Sequence, residues 1–107
     1  MKRYGQVIKI KSKKLEEYKK LHANVWPEVL SMIHECNMRN YSIYHKDGYL
    51  FAYFEYVGDD FDADMAKMAA DAKIQKWWDI CKPMQLPLET RAEGEWWANM
   101  EEVFYQK

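Results

Sequence analysis

Hydrophobic residues recur along this chain with two different periods, and the switches between them divide it into elements. Tyr4 to Ile10 alternates, with Gln6, Ile8 and Ile10 on one side and Val7 and Lys9 on the other. That is the period of a strand. From Lys13 the period lengthens, and Leu15, Tyr18 and His22 fall on one helical face. Ser12 is placed to cap this helix. Pro27 cannot lie inside it, because proline lacks the N–H and its ring clashes with the preceding turn. It suits the first turn of a new helix. The pattern predicts two helical pieces, Lys13 to about Ala23 and Pro27 to about Glu35, broken at Asn24 to Trp26. Val29, Leu30 and Ile33 are the expected buried positions of the second piece.

Two runs rich in β-branched and aromatic residues follow, "RNYSIYH" and "YLFAYFEYV", joined by "KDG". Asp-Gly between such runs predicts a hairpin. Asp59 or Asp60 then caps a helix with Phe61, Met65, Met68 and Ala72 inward. Asp71 starts a further helical stretch in which Ile74, Trp77, Trp78 and Cys81 keep helical spacing. "KPMQLPLETRAEGEWW" reads as an irregular connection, and "MEEVFYQ" as a short closing strand. Strand, helix, strand, strand, helix, strand is the ferredoxin-like, split βαβ form of an α+β domain.

The strand Tyr49–Val57 carries large apolar residues on both faces. Tyr49, Phe51, Tyr53 and Val57 alternate with Leu50, Ala52, Phe54 and Tyr56. An antiparallel sheet ordinarily turns one polar face to water, and helices lying on one side cover only the other. A second copy of the chain, packed sheet on sheet as a homodimer, is the expected cover. The alternation leaves open which set of residues meets it.

The length of 107 residues fits one domain, residues 1–107. Aromatics make up 16% of the chain, with five Trp and eight Tyr, which is rich for a small soluble domain. Such excess aromatic surface goes into a core, an interface or a ligand pocket. With 16 basic against 17 acidic residues, there is no nucleic-acid footprint. No apolar run approaches the ~18 residues of a membrane span, and the start of the chain lacks the apolar region of a signal peptide. Cys36 and Cys81 read as free thiols of a reducing cytoplasm.

Few residues can carry chemistry. His22, one turn after Tyr18, is either a core histidine satisfied by one hydrogen bond or a general acid/base, since a free imidazole titrates near about 6.5. The break that follows would open space beside its ring. Trp77 and Trp78 either belong to the apolar stripe of their helix or form a platform for a sugar, whose C–H groups pack on aromatic faces. Trp96 and Trp97 pose the same choice and favour packing, one in and one out. His34 and Cys36 diverge on a helix and gather no third metal ligand. His45 sits at the hairpin turn. Glu101 and Glu102 face opposite ways and make no glycosidase pair. No phosphate loop, dinucleotide fingerprint or nucleophile elbow is present.

Taken together, "EEYKKLHANVWPE", "RNYSIY", "QKWW" and "EEVFY" resemble the L-rhamnose mutarotase family, in the same order and spacing over most of the chain. The resemblance implies a dimeric α+β barrel of ferredoxin-like subunits. It implies interconversion of the α and β anomers of L-rhamnose, or a related 6-deoxy sugar, without metal or cofactor. Carried over by position, His22 would be the proton donor, and Tyr18, Tyr41, Trp77 and Trp78 would line the sugar site. Trp26 would close one wall. The segment Glu89–Asn99 departs from the family pattern, which bears on substrate breadth. Two rival classes are a cofactor-free monooxygenase on the same barrel and a non-catalytic sugar-binding dimer. A Tyr/His pair beside Trp suits a polyol better than a flat polycycle.

Overall fold

In a computed structural model describing residues 1–107, the sheet is built on β1 (Lys2–Ile10). β1 pairs antiparallel with β3 (Tyr49–Tyr56), which pairs antiparallel with β2 (Met38–Lys46). The other edge of β1 takes two short strands, β4 (Gln85–Leu86) and β5 (Ala98–Asn99). The order β2-β3-β1-β4, with β5 beside β1, is that of the ferredoxin-like α+β fold. No helix is long and apolar enough to cross a membrane.

The helices form where the sequence places their ends. A 3-10 turn (Ser12–Lys14) leads into α1 (Leu15–His22). Ser12 makes no capping bond, contrary to expectation. The residue before a proline is driven out of the helical region, and Trp26 is extended there (φ −58°, ψ 134°). Its carbonyl accepts from Val29 and Leu30 to start α2 (Pro27–Glu35). Asp60 caps α3 (Phe61–Ala70) by accepting from the Ala63 N–H. Asp71 caps α4 (Ala72–Cys81) by accepting from Lys73 and Ile74. α4 packs against both α2 and α3. The core joins Ile8, Ile10, Leu50 and Phe54 of the sheet to Tyr18, Val29, Met68, Ile74 and Trp77 of the helices.

Three further expectations change. Ala72 is exposed, because the cap at Asp71 ends α3 and begins a new helix. Leu30 is exposed as well, and Val29 alone of α2 is fully buried. The closing strand is Ala98–Asn99 rather than "MEEVFYQ". Beyond it the chain still tracks β1 in the same register, with the Met100 N–H donating to the Gly5 carbonyl at 2.8 Å. Arg3 then holds Glu102 through two hydrogen bonds and lies 3.3 Å from the Tyr105 ring centroid.

Two backbone features of β2 position side chains. The Asp47-Gly48 turn has positive φ at both residues (52° and 82°), as a two-residue hairpin with the twist of its strands requires. Between Arg39 and Ser42 the register slips, so Asn40 and Tyr41 together face Phe54. Asn40 sits in the left-handed region (φ 51°), which asparagine tolerates. A bulge of this kind reverses which face the following side chains address. It puts Tyr41 and Met38 on the same side, both lining the cleft described below.

The alternation of β3 is resolved. Leu50, Ala52, Phe54 and Tyr56 are buried beneath the helices, while Tyr49, Phe51 and Val57 lie on the open face. Replacing Asp71 by alanine removes the carboxylate that caps α4 and should lower stability by roughly 0.5–2 kcal/mol. Urea unfolding checks this, and an unchanged midpoint would mean that packing alone holds the helix start.

Candidate active site

A cleft of about 550 Å³ lies between the helices and the inner face of the sheet, within the size range of small-molecule sites. Its lining is mostly apolar and aromatic, and Lys82 is its one formally charged residue. His22 occupies the last position of α1 and stacks on Tyr18 of the same helix, with ring centroids 4.1 Å apart. Trp77 meets His22 edge-on at 5.3 Å.

His22 Nδ1 lies 2.8 Å from the Tyr18 carbonyl oxygen. A carbonyl only accepts, so Nδ1 carries the hydrogen and Nε2 keeps its lone pair. Burial lowers the His22 pKa below 6.5, opposed by this hydrogen bond. The ring is therefore neutral at pH 7, with Nε2 as its free nitrogen in a residue that lines the cleft.

Tyr18 is buried, and burial raises the pKa of its phenol, so it keeps its proton. Its hydroxyl oxygen accepts from Gln85 Nε2 at 3.0 Å, and Gln85 Oε1 accepts from Trp96 Nε1 at 2.7 Å. Tyr41 stands on the other wall, its ring 5.5 Å from that of Phe54. Although 38% of Tyr41 is exposed, its hydroxyl is desolvated and its pKa is pushed up to about 12. Cys81 also lines the cleft, and burial raises its thiol to about 12, which keeps it protonated and unreactive.

Tyr18, His22, Tyr41, Trp77 and Trp78 all line the one cleft. Trp77 does double duty as core and wall, being 6% exposed. Trp78 is half-buried beneath the Lys82 ammonium, which lies 4.8 Å from its ring centroid. Trp26 is set one layer back rather than forming a wall. It packs edge-on behind Trp77 at 5.2 Å, and Val25 and Val29 supply the lining at that end. Trp96 and Trp97 are both half-buried in the cleft lining, not one in and one out.

Sequence reasoning missed Gln85, Lys82 and the part played by Trp96. Lys82 was legible as one turn beyond Trp78. Gln85 had no signal, since only its pairing opposite Ile10 brings it to Tyr18. His34 and His45 are exposed and stand outside this cleft, the latter accepting from the Gly48 N–H at 3.2 Å. No three His, Cys, Asp or Glu side chains converge as a metal site would require.

Fold and site together define a ferredoxin-like α+β protein with one neutral imidazole in an aromatic cleft large enough for a monosaccharide. Residues 3–106 match the family model described as L-rhamnose mutarotase. The L-rhamnose mutarotase of Bacillus subtilis (strain 168) is 32% identical over 108 residues, 98% of each chain. That of Oceanobacillus iheyensis is 34% identical over 86 residues, 78% of this chain and 80% of the relative. Among solved structures, the L-rhamnose mutarotase of Formosa agariphila superposes with a TM-score of 0.79 at 24% identity, covering 100% of both chains. The tetracenomycin F2 cyclase of Streptomyces glaucescens shares the fold, with a TM-score of 0.72 at 15% identity over 100% of this chain and 97% of the cyclase. The chain belongs to the L-rhamnose mutarotase family, and so to the isomerases that interconvert sugar anomers.

The tautomer is directly measurable. In long-range ¹H–¹⁵N spectra, His22 should appear as the Nδ1–H form and titrate below 6.5. An Nε2–H form, or titration above that value, would remove the free base from the cleft.

Proposed function

We propose that this cleft interconverts the α and β anomers of L-rhamnose by acid/base-assisted ring opening, with His22 as the proton-transfer group. Tyr18, Tyr41, Trp77 and Trp78 form the sugar site. One observation carries the reading. The Nδ1–H bond to the Tyr18 carbonyl leaves Nε2 bare on a neutral ring that lines the aromatic cleft.

The reaction moves one proton between two oxygens bonded to the same carbon. Nε2 takes the proton of the anomeric hydroxyl, and that oxygen begins to form the aldehyde carbonyl. The bond from the anomeric carbon to the ring oxygen breaks, its electron pair staying on the ring oxygen. The imidazolium then gives that oxygen the proton. Rotation about the adjoining carbon–carbon bond presents the other carbonyl face, and the same steps in reverse close the ring. His22 is thus acceptor and donor in turn, as a nearly symmetric reaction requires of its catalyst. Atoms and charge balance on the imidazole alone, and the oxidation level does not change.

The aromatic lining offers faces for the sugar's C–H groups and its methyl group, while the phenols supply hydrogen bonds to hydroxyls. Holding the ring against Nε2 supplies much of the effect, since such reactions are sensitive to positioning. Neither buried thiol is bridged, which suits a reducing cytoplasm.

The second subunit belongs to this proposal. Tyr44, Tyr49 and Phe51 are 65%, 37% and 37% exposed on the open sheet face. Val103 and Phe104 of the tail beside it are 85% and 77% exposed. Monomers seldom leave so many large apolar side chains uncovered. A second copy, related by a two-fold axis and packed sheet on sheet, would cover it. Sedimentation at micromolar concentration should then give twice the 13.0 kDa chain mass, with Phe51→Asp splitting the pair. Sedimentation of the wild type as a 13.0 kDa species would overturn the dimer.

Anomer exchange followed by saturation-transfer NMR tests the chemistry. His22→Ala should abolish exchange with the fold intact, and wild-type exchange in that variant would remove His22 from the mechanism. Tyr18→Phe and Tyr41→Phe should each slow it by about twofold to tenfold, the loss of one hydrogen bond. The pH profile carries a sign. A neutral His22 acts as base, so kcat/KM should rise through a pKa below 6.5 and then stay level. The same depression makes the unfolded chain bind more protons in that window, so stability falls as the pH drops through it. A rate that declines above the His22 pKa would show instead that the imidazolium starts the reaction.

A further inference from the structure

We infer that Gln85 and Trp96 are positioning residues that aim the hydroxyl hydrogen of Tyr18 at the substrate. This deepens the mutarotase reading and rests on Tyr18 touching the sugar. The inference comes from donor and acceptor bookkeeping along a short buried chain of groups.

An indole N–H can only donate. Trp96 Nε1 lies 2.7 Å from the Gln85 side chain, so the amide must present its oxygen there. The flipped amide would set two N–H donors against each other. The opposite end of the amide, Nε2, is therefore fixed toward Tyr18, 3.0 Å from its hydroxyl oxygen. That oxygen is already accepting from Gln85, so the Tyr18 O–H must point elsewhere, and Tyr18 lines the cleft. Tyr18 is thus a dedicated donor. Such a donor suits an oxygen that has given up its proton, which is the state of the anomeric oxygen once the ring opens.

The supports of the chain are rigid. Gln85 is 6% exposed and is paired in the sheet opposite Ile10, so its backbone cannot drift. Trp96 lies beneath the Lys82 ammonium, 5.3 Å from its ring centroid, and the same ammonium lies over Trp78. Buried groups of this kind hold their direction because an unpaired alternative is costly. Trp96 comes from the connection between β4 and β5, and its N–H gives that connection a chemical task.

Trp96→Phe tests this, because it removes the one N–H and keeps an aromatic ring. The freed amide can then turn its oxygen to Tyr18 and draw the hydroxyl hydrogen away from the sugar. kcat/KM for anomer exchange should fall about twofold to tenfold, the value of one hydrogen bond, with Tm unchanged. In a Tyr18→Phe background the same substitution should cost nothing more, since coupled residues are not additive. Wild-type exchange in Trp96→Phe while Tyr18→Phe is slowed overturns the inference, as do losses that add in the double variant. Wild-type exchange in Tyr18→Phe itself would instead remove Tyr18 from the sugar site, and the inference with it. Should Trp96→Phe fail to fold, Gln85→Met takes its place in the same cycle, with the same reading of each result.

Discussion

The ring of a proline crowds the residue before it out of the helical conformation, and the arrangement of the site depends on that at position 27. The residue before it is forced into an extended conformation, so the first helical run must stop short. It stops at His22, and the histidine becomes a terminal residue beside a gap rather than one more rung of a long helix. With the chain leaving the helix there, the imidazole can lie over Tyr18 and bind its carbonyl. That single bond selects the tautomer. Burial selects the charge state. A neutral imidazole lining a cleft thus results from one local backbone constraint and the apolar packing around it.

The cleft shows how apolar surface and polar chemistry share a small domain. Trp77 closes the core and also touches His22 edge-on, so the material that stabilises the fold is the material that desolvates the imidazole. Buried polar groups in such a place need partners, and every buried side-chain nitrogen and oxygen has one. The Trp96, Gln85 and Tyr18 groups satisfy one another across three separate elements. The same hydrogen bonds that satisfy these buried groups also fix which way each of them points.

Much of this was legible in residue order. The break before Pro27, the Asp-Gly hairpin and the two aspartate caps are local, and local chemistry is written in short stretches of sequence. Tyr18, His22, Trp77 and Trp78 could be grouped because helical spacing and family likeness agree. The bulge at Asn40 could not be read, because a slip in register exists only between two strands. For that reason periodicity alone gave no ground for placing Tyr41 on the inner face. Leu30 misled because it lines the open cleft rather than packed core, and Ala72 because the cap at Asp71 starts a new helix there. The closing strand was set a few residues late. "MEEVFYQ" has stronger strand composition than Ala98–Asn99, and it does follow the register of β1, but the backbone ladder runs out near Met100.

The last strand position of the sheet is filled in two pieces, Gln85–Leu86 and Ala98–Asn99, with the chain between them free to leave the ladder. Each piece is anchored to β1 on its own. The stretch between them supplies Trp96 and Trp97 to the cleft lining without taking part in the ladder. The interruption therefore parts the hydrogen bonding that anchors the sheet edge from the indoles that this stretch lends to the cleft.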